Sequence, residues 1–161
     1  MTLETVADTN ILFSALIKSG RIRRLILTRG ILKLHIPEEL AQELHGHAEK
    51  LGKYLDLETT EIHRLIDEFI REVATTHRRE EYKHTLQKAR KLVERVDPAD
   101  TPFVALAMHL NIPLWTGDKA LIRLGLETGE YIAVDTEGVE LLLRGELLGS
   151  ILERMKEKYL R

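Results

Sequence analysis

Leu3-Glu-Thr-Val-Ala-Asp-Thr-Asn-Ile-Leu-Phe13 begins as a short apolar strand and, across the turn Asp8-Thr9-Asn10, becomes a helix running to about Ile17. Ser19-Gly20 breaks that helix, and a second follows with Ile22, Leu25 and Ile26 at helical spacing. Gly30 ends it, and Leu32 to Ile36 makes the next strand. Pro37 suits the first turn of a helix that carries Leu40, Glu43 and Leu44. Strand, helix, helix, strand, helix is the opening of an α/β fold.

The middle reads as a helical pair inserted at about residues 58–96. Thr59 or Thr60 caps the first member, whose Ile62, Leu65, Ile66, Phe69, Ile70 and Val73 recur at intervals of three and four. The second runs from about Glu80 to Val96, with Leu86, Leu92 and Val93 inward, and Asp97-Pro98 ends it. Asp100 then caps a helix from Thr101 to Leu110, and Ile112 to Thr116 is a strand. A short helix from Lys119 to Leu124, a strand from Tyr131 to Val134 and a helix from Thr136 to Leu143 follow. An amphipathic helix from about Glu146 carries Leu148, Ile151, Leu152 and Met155. Strands alternating with helices predict a three-layer α/β/α sandwich around a mainly parallel sheet. Residues 1–161 are expected to form one domain, with a C-terminal helical extension from about residue 146.

The chain has 161 residues, of which 43% are apolar but only 5% aromatic, so aliphatic side chains must build its core. With 24 basic and 26 acidic side chains its net charge is −2, which gives no global pull toward polyanions. Cysteine is absent, excluding disulfides, thiolate metal sites and a cysteine nucleophile. No apolar run approaches the roughly 18–20 residues that cross a bilayer, and the N-terminus lacks the pattern of a signal peptide. The cytoplasm, with no membrane partner, is the expected location.

Four acids stand where a carboxylate does little for folding. Asp8 and Asp118 follow strands directly, and ligands of open parallel sheets bind beyond the carboxyl ends of the strands. Asp100 heads a helix that leads down to the Ile112 strand, so it falls on the same edge. Glu43, one turn beyond Glu39, can reach back over that rim. Taken singly, Asp8 and Asp118 could be turn formers, Asp100 a helix cap and Glu43 a solvated helix residue. Clustered, they repel one another unless a cation lies between them, which points to Mg²⁺ or Mn²⁺.

Other signals are weaker. Asp97 is expected to end its helix and Asp135 to cap the Thr136 helix. His45 and His47 point to different sides of a helix and do not make a zinc site, and the other histidines read as scattered and solvated. Lys18, Arg21, Arg23 and Arg24 follow the first turn, and Lys119 and Arg123 follow Asp118. Of these, Arg21, Arg24 and Lys119 are the candidate nucleic-acid contacts, although basic residues on helices are usually a solvated face. Trp115 reads as core.

Four segments resemble one known family. Val6-Ala-Asp-Thr-Asn-Ile-Leu-Phe13 is similar to the opening motif of PIN-domain ribonucleases, and Pro37-Glu-Glu-Leu-Ala-Gln-Glu43-Leu to their second. Asp97-Pro-Ala-Asp-Thr-Pro-Phe-Val-Ala-Leu-Ala107 resembles the third motif and Leu114-Trp-Thr-Gly-Asp118 the fourth. The resemblance runs in order to about Val134, leaving the tail after about Leu148 uncovered. It implies a PIN-like fold and a metal-dependent endoribonuclease that hydrolyses RNA with a metal-activated water. Asp8, Glu43, Asp100 and Asp118 would be the metal ligands, with Asn10 and Thr116 as supporting polar residues. It also implies a homodimer and the role of a toxin paired with an antitoxin protein. Two other readings stay open: a PIN fold kept as an inactive RNA-binding or assembly module, and a phosphotransferase using Asp8 as nucleophile. The second lacks the acid expected two residues on, where Asn10 stands.

Overall fold

The computed structural model describes residues 2–28 and 30–161. Strand β1 (Leu3–Ala7) is followed by helices α1 (Thr9–Ile17) and α2 (Arg21–Ile26), then β2 (Leu32–Pro37). Helices α3 (Glu38–Gly46), α4 (Ala48–Leu55) and α5 (Thr59–Val73) lead to β3 (Ala74–His77). A 3₁₀ turn (Arg79–Tyr82), α6 (Lys83–Val93), a second 3₁₀ turn (Pro98–Asp100) and α7 (Thr101–Leu110) bring the chain to β4 (Leu114–Trp115). The chain closes with α8 (Lys119–Thr128), β5 (Ala133–Val134), α9 (Thr136–Leu143) and α10 (Leu148–Tyr159).

The five strands lie in the order β3-β2-β1-β4-β5, and every pairing is parallel. The sheet is thus wholly rather than mainly parallel. Such sheets must be covered on both faces, which explains why the central strand is apolar at Val6 and Ala7, both fully buried. Helices α1 to α5 pack among themselves, as do α6, α7 and α8. The chain steps from β1 outward to β3, then crosses back to β4 and β5. Right-handed crossovers in opposite directions put the two helix groups on opposite faces. Strand order therefore reverses between β1 and β4, the point beyond whose carboxyl ends open parallel sheets bind their ligands.

The middle segment departs from a plain helical pair. Helix α5 ends at Val73 as the periodicity predicts, but Ala74–His77 then pairs with β2 as an edge strand. Thr75 and Thr76 are exposed, so this strand has no apolar signature to read. Thr59 is not the cap of α5; Glu58 is, in a capping box with Glu61. Helix α4 was not foreseen, and β4 and β5 are each two residues long, shorter than their apolar runs suggest. Trp115 is fully buried, its indole N–H donating to Thr136 Oγ1 at 3.1 Å.

Asp135 caps α9 as expected, accepting from Gly138 N at 2.8 Å, and it also ties down the C-terminus. The Tyr159 hydroxyl (2.6 Å) and Lys158 Nζ (3.0 Å) both donate to its Oδ2. Burial would raise this carboxyl, yet the Tyr159 hydroxyl, the Gly138 N–H and the Lys158 ammonium together hold it below its ordinary value. Helix α10, whose Ile151 and Met155 are buried, is thereby fastened to the end of β5. Tyr159→Phe removes a hydrogen bond to a charged, nearly buried acceptor. It is expected to lower stability by about 1–3 kcal/mol, read as a drop in the thermal midpoint.

Candidate functional site

Asp8, Asp100 and Asp118 each stand at the start of a helix, and Glu43 lies in the second turn of another. Asp8 leaves β1 and caps α1, its Oδ1 accepting from Ile11 N at 3.0 Å. Its Oδ2 accepts from the hydroxyl of Thr116, which follows β4. The Thr116 Oγ1 in turn accepts from Asp118 N at 3.0 Å, so one hydroxyl links two of the acids across the switch point. Asp118 caps α8 through Ala120 N (2.9 Å) and Leu121 N (3.2 Å).

Glu43 sits in the second turn of α3, and its Oε2 accepts from Thr9 Oγ1 at 2.9 Å. Glu39, one turn earlier, is occupied elsewhere. The buried Tyr82 hydroxyl reaches both of its oxygens (2.7 and 2.8 Å), and Arg79 lies 3.6 Å away. Of two glutamates one turn apart, only Glu43 is left to the acid cluster.

Asp100 differs from its sequence expectation. It occupies the cap position of α7, but its side chain makes no capping hydrogen bond. Asp97 does the local capping, accepting from Ala99 N at 3.0 Å. Among the described residues the Asp100 Oδ2 atom is buried with no partner. An unpaired buried carboxylate oxygen is costly unless a proton or a cation meets it.

The electrostatics bind the four into one group. Burial pushes Asp8 up to about 6 against the opposing bonds from Thr116 and Ile11, with Asp118 and Glu43 adding to the rise. Burial likewise pushes Asp100 up to about 7, followed by repulsion from Asp118, Asp97, Asp8 and Glu43. Charges that raise one another in this way are close neighbours. The side chains are nonetheless spread rather than closed into a cage. Among the described residues no three His, Asp or Glu side chains stand in ready-made coordination geometry. Mutual repulsion and separate bonds to Thr9, Thr116 and the α8 backbone account for that spread. The donor set, all oxygen with one orphaned buried atom, fits a hard divalent cation that keeps several waters.

Asn10 is exposed in the first turn of α1, beside Asp8. The basic residues divide. Arg21 is ion-paired with Glu140, and Arg23 is spent on the C-terminal carbonyls of α1, Ala15 O (2.6 Å) and Leu16 O (2.8 Å). Arg24 and Lys119 are exposed and, among the described residues, hold no ion pair; Lys119 opens α8 directly after Asp118.

Sequence reasoning missed Thr9 as the residue that holds Glu43, and it misjudged the histidines. Six of the seven form three imidazole pairs: His35–His77 at 2.8 Å, His45–His63 at 2.7 Å and His84–His109 at 3.2 Å. His45 and His47 do diverge. The first meets His63 and Asp67, whereas the second lies against Phe13. Nothing in their sequence spacing signals these pairings.

Three comparisons bear on this arrangement. No curated protein matches the chain. Among solved structures, VapBC2 from Rickettsia felis, bound to a DNA fragment from their promoter, is similar with a TM-score of 0.62 and 16% identity. That match covers 83% of this chain and 98% of the other. VapBC-1 from nontypeable Haemophilus influenzae is similar with a TM-score of 0.63 and 15% identity, covering 84% and 99%. At such identity the likeness speaks to the fold, a PIN-like α/β/α sandwich. The PIN domain family model matches residues 6–156, which takes in the four acids and reaches into α10, beyond the segment whose motifs carry the resemblance. The chain belongs to the PIN domain family.

Proposed function

We propose that the chain is a Mg²⁺- or Mn²⁺-dependent endoribonuclease whose site comprises Asp8, Glu43, Asp100 and Asp118. The observation that carries this reading is the buried, unpartnered Oδ2 of Asp100 amid three further carboxylates. Such a group has no folding purpose, and a hard cation satisfies it. When bound, the cation supplies an acidified water and Lewis-acid stabilisation of charge on the phosphate. The chain's own residues do the rest. Thr116 keeps Asp8 and Asp118 in fixed relation through its hydroxyl, and Thr9 holds Glu43 toward them. Asn10, exposed beside Asp8, is placed to hydrogen-bond a phosphate oxygen or the attacking water. Lys119 and Arg24, exposed and without an ion pair among the described residues, are offered to flanking phosphates, whereas Arg21 must first leave Glu140.

Single-stranded RNA incubated with the protein and Mn²⁺ is expected to be cut to products with 5′-phosphate and 3′-hydroxyl ends. EDTA should abolish the cleavage and added Mn²⁺ restore it. A folded protein that cuts no RNA with either metal would sink the enzyme and favour an inactive RNA-binding module of the same fold. The likeness to VapBC chains supports an antitoxin protein as partner, which the adjacent reading frame would encode. A homodimer, a cytoplasmic setting and a single domain spanning residues 1–161 complete the proposal. Among the described residues no helix is long and apolar enough to cross a membrane.

A further inference from the structure

The seam between α1 and α3 runs from the acids to an aromatic patch. At its near end Thr9 bonds Glu43. Phe13 and His47 stand four residues further along from each of these, about 6 Å or one helical turn away. Their ring centroids are 6.0 Å apart and nearly perpendicular. Tyr54, from α4, meets Phe13 at 6.2 Å and 88°, and Lys50 Nζ lies 5.2 Å over the Phe13 ring. Tyr54 is 61% exposed, whereas Phe13 is half-buried.

We infer that Tyr54, backed by Phe13 and flanked by Lys50, is the platform on which a base of single-stranded RNA stacks beside the scissile phosphodiester. This rests on the ribonuclease reading of the acid site. The chemistry favours RNA as the occupant. A chain of net charge −2 with four clustered carboxylates repels a polyanion, and Arg21 and Arg23 are already engaged. Beyond Lys119, Arg24 and a cation among the acids, affinity then draws on a contact that does not depend on charge. Stacking on an aromatic face is such a contact, is tolerant of sequence, and is worth roughly 5- to 100-fold per base. Lys50 meets the adjoining phosphate, and Phe13, wedged between His47, Tyr54 and Lys50, fixes the patch in place. Phe13 lies one helical turn from Thr9, which bonds Glu43, so a base on Tyr54 leaves its strand within reach of the acids.

The test uses a fluorescent single-stranded RNA oligonucleotide and the same strand carrying one abasic nucleotide. Binding is measured in an Asp100→Asn background so that RNA is not consumed. The unsubstituted patch should prefer the intact strand by roughly 5- to 100-fold, and Tyr54→Ala should abolish the preference while Tyr54→Phe retains it. In the active protein, Tyr54→Ala should raise KM by a similar factor, with the loss falling on KM rather than kcat, and its thermal midpoint should be unchanged. RNA cleaved and bound equally well with and without the Tyr54 ring overturns the platform while the ribonuclease reading stands. A wild type that neither binds nor cuts RNA overturns both. A Tyr54→Ala protein that keeps its RNA preference but loses self-association in sedimentation assigns the patch to a second copy instead.

Discussion

Replacing Asp100 with asparagine is expected to lower Mn²⁺-dependent RNA cleavage by roughly 100- to 1,000-fold while making the metal-free protein more stable. The two effects have one cause. Asp100 is held amid Asp118, Asp97, Asp8 and Glu43, and burial together with those charges lifts its carboxyl to about 7. Near neutral pH the unfolded chain ionises this group freely, whereas the folded chain must either hold a proton or carry an unpaired charge. An amide abolishes the repulsion and can donate to a neighbouring carboxylate. The rise from 3.8 to about 7 is tempered by solvent at a partly exposed side chain, leaving a gain of the order of 1–2 kcal/mol. A residue that matters only for folding behaves the opposite way. Loss of activity with a lowered thermal midpoint would therefore count against Asp100 as part of a cation site. The measurement pairs a cleavage assay with a melting curve taken in EDTA.

The second large effect is a dependence of stability on pH that a divalent cation reverses. Asp8 and Asp100 have folded-state values of about 6 and about 7 against an ordinary 3.8, so the folded state binds protons that the unfolded state has released. Stability of the metal-free protein must then fall as pH rises from about 4 to about 7, with the full penalty present above that window. For the well-buried Asp8 alone, the rise from 3.8 to about 6 corresponds to about 3 kcal/mol. Buried His35, which is lowered by desolvation despite its bond to Glu4, acts in the other direction and loses stability as pH falls below 6.5. A metal-free optimum on the acid side of neutrality is the expected balance. Mg²⁺ or Mn²⁺ should raise the melting temperature strongly at about pH 8 and little at about pH 5, where protons compete for the same oxygens. An equal shift at both pH values would mean that the ions bind elsewhere.

Local chemistry made much of the fold legible. The apolar run Leu3–Ala7 ends at an aspartate, and β1 ends there too; the interval pattern of Ile62 to Val73 marks α5 to its last residue. What escaped was decided by partners distant in the chain. Strand β3 is Ala-Thr-Thr-His at a sheet edge, and only its pairing to β2 makes it a strand. Glu39 and Glu43 look alike in sequence; Tyr82, far along the chain, claims one and Thr9 the other. Asp100 looked like a cap because aspartate before a helix usually is one. The packing instead turned its carboxyl away from the α7 N–H groups, leaving one oxygen buried without a bond. The sequence therefore singled out the acids as candidates but could not say which of their oxygens is buried without a bond.

The Thr116 hydroxyl that joins Asp8 to Asp118 closes a contact across 108 positions of chain. During synthesis Asp8 and Glu43 emerge early, whereas β4 and the Thr116 and Asp118 that follow it are made only after α7. A growing chain therefore carries Asp8, Glu43 and Asp100 before it has either Asp118 or the hydroxyl that aligns the pair. The strand order that sets β1 beside β4 thus delays completion of the acid cluster until α7 and β4 have been laid down.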